Sequence, residues 1–217
     1  MNKEAIVKET AEYIKKSFSG EGSGHDWWHI YRVWKNALHI AEKEKVDLFV
    51  VELAALLHDI ADFKFHEGDD TAGPKAARVW LESQKVDEDI IAHVCEIIAS
   101  VSFKGAGVAT LPKTKEGMVV QDADRLDAMG AIGIARAFAY GGFKNREMYN
   151  PEIKPEKHDT FEQYKANQGH TINHFYEKLL LLKDLMNTET AKQIAQERHV
   201  YMEQFLDRFY NEWEGKQ

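Results

Sequence analysis

This chain of 217 residues has one cysteine, Cys95, and only four prolines. A single thiol excludes an intrachain disulfide and leaves no cysteine-based metal site. It also has no unbroken apolar run near the ~20 residues needed to span a bilayer, and no membrane association is expected. The start, Met1-Asn2-Lys3-Glu4-Ala5, leads into an amphipathic pattern and lacks the apolar core of a signal peptide, so a reduced, cytoplasmic protein is expected. Positive charge is scarce as well: 28 Lys and Arg stand against 36 Asp and Glu, a formal charge of −8. That balance argues against a surface that coats a nucleic acid polymer, while still allowing a local basic pocket for a small anion. Strand-like alternation, internal repeats and low-complexity tracts are also missing.

What is present is helical periodicity. With 44% hydrophobic and 29% charged residues, the composition is that of an ordered globular chain long enough for a sizeable core. Apolar residues at steps of three and four predict helices over about 2–18, 26–45, 48–58, 71–82, 87–102, 116–140, from Thr160 through Leu182, and from about 187 to 213. Asp26, Asp47 and Thr160 stand where N-caps belong, and Asn187-Thr188 starts the last helix. The run Gly20-Glu21-Gly22-Ser23-Gly24 breaks the first two helices apart, and 103–115 and 141–159 read as loops. The expected fold is all-α, a single domain over 1–217 with a motif core at about 20–140 and a helical cap at about 158–214.

Chemistry concentrates at three places. His58-Asp59 closes the apolar helix Leu53-Ala54-Ala55-Leu56-Leu57, at a helix C-terminus whose dipole favours a cation. Upstream, His25, His29, Arg32 and Asn36 recur at three- and four-residue steps and form one polar stripe. Downstream, Asp122, Asp124 and Asp127 interrupt a largely buried pattern. Buried carboxylates are costly without a partner, and the partner is either a metal or one of the nearby Arg125 and Arg136. Two imidazoles and two carboxylates form a nitrogen–oxygen shell suited to Mn, Fe, Co, Ni or Zn, with Mg also open. A single ion held by four such ligands retains room for a water and a substrate oxygen, which is hydrolytic chemistry.

The set His29, His58-Asp59 and Asp124 within Ala123-Asp124-Arg125-Leu126-Asp127-Ala128 resembles the HD-domain superfamily of metal-dependent phosphohydrolases, over roughly residues 20–140. It looks closest to small stand-alone bacterial members carrying Gly24-His25-Asp26-Trp27-Trp28-His29 and Gln121-Asp122-Ala123-Asp124-Arg125-Leu126-Asp127. The resemblance implies that His29, His58, Asp59 and Asp124 are metal ligands, with Asp122 and Asp127 as the competing choices for the last. It implies that Asp62 orients or deprotonates the attacking water, with Glu67 sharing that work. His25, Arg32 and Lys64 become candidates for binding substrate phosphate, and Trp27, Trp28, Phe63 and Phe65 for stacking a base. Alarmone hydrolases of the superfamily carry Glu-Asp shortly after the motif pair, where this chain has Ile60-Ala61-Asp62. Two-metal members add histidines in the interval that here holds His66 and His93.

The function expected is hydrolysis of a phosphomonoester or pyrophosphate bond in a small molecule, a nucleotide, by a monomer or homodimer. The alternatives are a phosphodiesterase acting on a cyclic or signalling nucleotide, and a module that keeps the metal without turnover.

Overall fold

In a computed structural model the described residues are 2–18, 26–60, 71–101, 112–156 and 169–216, and all the regular structure among them is helical. The helices are α1 (Lys3–Ser17), α2 (Trp27–Ala41), α3 (Leu48–Leu57), α4 (Ala72–Ser83), α5 (Glu88–Val101), α6 (Lys115–Asp127), α7 (Gly130–Phe143), α8 (Thr171–Glu177) and α9 (Glu189–Trp213), with a 3₁₀ segment at Leu179–Leu185. The all-α expectation holds. None of these helices is long and apolar enough to cross a membrane.

The chain divides into two compact units, Met1–Phe103 with Thr110–Asp124, and Lys104–Ala109 with Arg125–Gln217. In the first unit α3 is the centre. Val51, Leu53, Ala54, Ala55, Leu56 and Leu57 are fully buried and Phe49 and Val50 nearly so, which is how a helix apolar on all sides behaves when it is surrounded. It packs against α1, α2 and α5. From α2 it meets a stripe of Ile30, Val33, Ala37 and Ile40, all buried. Each fully buried aliphatic side chain of this kind contributes about 1.5–3 kcal/mol, so α3 is held firmly enough to aim the His58-Asp59 pair at its end.

Side-chain caps fix the helix starts, at Asp26 and Asp47 as expected and at Thr188 in addition. Asp26 accepts from the His29 N–H at 2.9 Å, Asp47 from those of Phe49 and Val50, and Thr188 from that of Ala191. The expected cap Thr160 lies outside the described residues.

The single helix expected over 116–140 is instead two, α6 and α7. Gly130 adopts φ +68°, the left-handed region that ends a helix, and Met129 before it is extended. The apolar spacing runs on across the junction because Leu126, Met129 and Ile134 are all buried, and so it conceals the break. In the second unit, Phe138 of α7, Phe175 of α8 and Phe205 and Phe209 of α9 form a ring cluster with centroids 5.9–6.4 Å apart.

Candidate metal centre

Four side chains from three helices of the first unit converge. His29 sits in the first turn of α2, where the Asp26 cap fixes both the start of the helix and the orientation of that turn. His58 is the C-cap of α3, and Asp59 lies in the turn just after it. Asp124 projects from α6. His29 Nε2 lies 3.3 Å from His58 Nε2, 3.4 Å from Asp59 Oδ2 and 3.5 Å from Asp124 Oδ1. His58 Nε2 lies 3.5 Å from Asp59 Oδ2 and 4.0 Å from Asp124 Oδ1.

These separations match a coordination shell. Ligand atoms about 2.0–2.2 Å from an ion stand roughly 3.0–3.4 Å from their neighbours in octahedral or tetrahedral arrangement. His29, His58 and Asp59 form a tight group of three potential ligands, and Asp124 completes the ring at slightly longer range. The imidazoles are 2% and 3% exposed and Asp124 is 27% exposed, so the centre opens to solvent on the Asp124 side. The donor set fits a divalent ion.

The tautomer is set by the backbone. His58 Nδ1 lies 2.8 Å from the Ala55 carbonyl, so Nδ1–H donates there and the Nε2 lone pair faces the other three side chains. Side-chain patterns give no sign of this carbonyl in the sequence. A second backbone contact involves the polar stripe: Asn36 Nδ2 donates to the Ala123 carbonyl at 3.4 Å, tying α2 to α6 at the residue before Asp124. Arg32, one turn after His29, is half-buried on α2.

The other aspartates of α6 differ in their surroundings. Asp127 is 1% exposed and its Oδ2 meets Arg136 Nη1 at 2.6 Å, an ion pair within the second unit. Asp122 is fully buried. Arg125 donates to the Leu185 carbonyl. His93 Nε2 pairs with Thr114 Oγ1 at 2.9 Å, with Glu116 at 3.8 Å, and is not part of the cluster. Of the aromatics proposed to stack a base, Trp28 is largely exposed and Trp27 lines a groove formed with α1 and α3. His25, Asp62, Phe63, Lys64, Phe65, His66 and Glu67 lie outside the described residues.

Comparison with known proteins gives this geometry a context. The family model of the HD domain matches residues 27–129, a span that includes all four converging side chains. The YpgQ protein of Bacillus subtilis is 42% identical over 197 residues, covering 89% of this chain and 87% of that protein. A crystal structure of an HD-superfamily hydrolase from Bacillus thuringiensis superposes with a TM-score of 0.77 at 47% identity, covering 98% of this chain and 99% of that one. A crystal structure of YpgQ in complex with ADP superposes with a TM-score of 0.78 at 34% identity over the superposed residues, covering 98% and 97%.

Proposed function

Because this chain belongs to the HD-domain family, we propose that it is a divalent-metal-dependent phosphohydrolase. Its substrate is a small phosphorylated molecule, a nucleotide, cleaved at a phosphomonoester or pyrophosphate bond. The observation that carries this reading is the convergence of His29, His58, Asp59 and Asp124 at 3.3–4.0 Å. These four would hold the ion. When bound, a divalent ion there supplies Lewis acidity towards a phosphoryl oxygen and lowers the pKa of water.

The chain's own groups do the rest. The Ala55 carbonyl engages His58 Nδ1–H, so Nε2 presents its lone pair towards the ion. Asp59 and Asp124 would supply negative charge that offsets the cation. Asp62 orients or deprotonates the attacking water with help from Glu67, a role that rests on the family resemblance. Arg32, on the same face of α2 as His29, binds substrate phosphate together with His25 and Lys64. Support for a nucleotide comes from the relative YpgQ, whose structure holds ADP.

The test is release of phosphate or pyrophosphate from a panel of nucleoside mono-, di- and triphosphates. Metal-stripped protein is reloaded separately with Mn²⁺, Co²⁺, Ni²⁺, Zn²⁺ or Mg²⁺. Release that requires metal and falls at least a thousandfold in Asp59→Ala is the expected outcome. Stoichiometric metal binding without turnover of any member of the panel would overturn it.

A further inference from the structure

We propose that the groove between α1, α2 and α3 is a second binding site, for an organic cation: a protonated amine carried on an apolar body. The groove has a volume of about 640 Å³, and its residues include none of the four at the metal centre. Pockets of roughly 300–1,000 Å³ with mostly apolar walls and a few placed polar groups are typical of small-molecule sites. Here the walls are Val7 and Ala11 of α1, Trp27 and Trp34 of α2, and Leu48 and Phe49 of α3.

The polar group is Glu52. Every residue of α3 is buried except Leu48 and Glu52, and both open into this groove. Glu52 accepts one hydrogen bond, from Trp34 Nε1 at 3.2 Å, and among the described residues no cation lies within ion-pair distance of it. Burial pushes its carboxyl above the usual range, with the Trp34 hydrogen bond and the more distant Lys35 acting the other way. A carboxylate accepts at about four lone-pair positions, so Glu52, which lines the groove, can accept further hydrogen bonds there. Glu52 is half-buried at the groove, where a neutral amide would make the same bond to Trp34.

A ligand donor reaching Glu52 would add to the Trp34 bond, and the surroundings favour a charged one. The rings of Phe49 and Trp34 already attract ammonium groups: Lys3 Nζ lies 5.0 Å over Phe49 and Lys35 Nζ 5.0 Å over Trp34. The charged residues lining the groove are Lys3, Lys8 and Lys15 against Glu4, Glu12, Asp47 and Glu52, three against four, so the groove does not select an anion. An amine on an apolar body satisfies both features: its ammonium donates to Glu52 and its body covers the aromatic walls.

Isothermal titration of the full chain with 4-phenylbutylamine and with the neutral 4-phenylbutanol tests this. The amine is expected to bind at least tenfold more tightly, as a charge-assisted hydrogen bond implies. In Glu52→Gln the amine should fall to the level of the alcohol, while the melting temperature stays the same or rises. Trp27→Leu, which keeps the carboxylate, should weaken both ligands several-fold. Equal binding of amine and alcohol, no binding of the amine at millimolar concentration, or an amine preference that survives Glu52→Gln would each overturn the proposal. So would self-association that disappears in Glu52→Gln, because the groove would then belong to a second copy of the chain.

Discussion

Three aspartates within six residues of α6 present the sharpest residue-level choice, and their surroundings separate them. Asp124 is partly exposed and faces two imidazoles, whereas Asp127 is buried against the Arg136 guanidinium. The sequence left both partners open, metal or arginine, because a helical pattern places residues on faces without revealing which distant side chain meets them. The structure places Arg136 on Asp127, and this pair gives a clean test. Arg198 also acts on the Asp127 charge, so removing Arg136 weakens the compensation of this buried carboxylate without abolishing it, at a cost of up to about 3 kcal/mol. Arg136→Ala should therefore lower the urea midpoint substantially while the protein still binds one equivalent of metal, measured by elemental analysis after gel filtration. Loss of the metal with unchanged stability would instead assign Asp127 to the metal centre.

At the scale of elements, α1 to α5 were legible from their apolar periodicity, helped at α2 and α3 by an aspartate cap and at α3 by a helix apolar on every side. The break between α6 and α7 was not legible. It depends on the backbone of Gly130, and an added Cβ there would sit 3.0 Å from the Arg198 side chain, a contact between residues 68 positions apart. The short α8 also carries a property that its pattern does not announce. Burial, together with the nearby Lys178 and Arg146 charges, pushes the His174 imidazole down to about 3. An unfolded histidine titrates near 6.5, so between the two values the unfolded chain takes up a proton that the folded chain refuses. The folded pKa is the lower one for a base, and stability is therefore full above about pH 6.5 and falls as pH falls. At pH 5 the loss from this group is about 2 kcal/mol. Urea melts at pH 7 and pH 5 should differ by that much less in His174→Phe than in the unaltered chain. An unchanged difference would mean that His174 is protonated freely in the folded state.

At the scale of the whole chain, the candidate site is assembled from positions 29, 58, 59 and 124, whose ligand atoms come within a few ångströms only after α2, α3 and α6 have packed. The sequence revealed which residue types carry the chemistry, through the His58-Asp59 pair and its two outlying partners. It could not show their convergence, which depends on the buried face shared by α2 and α3 and on the Asn36 contact to α6. An unfolded chain does not present such a site, so an ion that binds it is linked to folding and stabilises by RT ln(1 + [L]/Kd). With free metal at a hundred times Kd this is about 2.7 kcal/mol, which for a chain of this length corresponds to a rise in melting temperature of roughly 5–10 °C. Calorimetry of stripped and reloaded protein should show that rise, and Asp59→Ala should remove it without lowering the stripped midpoint. The direction of the second effect is informative in itself. Without an ion, Asp59 and Asp124 are two carboxylates brought to the same imidazoles, so deleting one relieves like-charge repulsion while it forfeits contacts with His29 and His58. A stripped midpoint that drops by several degrees in Asp59→Ala would mean that the four side chains serve the fold in their own right, and that the ion is a late addition to a site already stable without it.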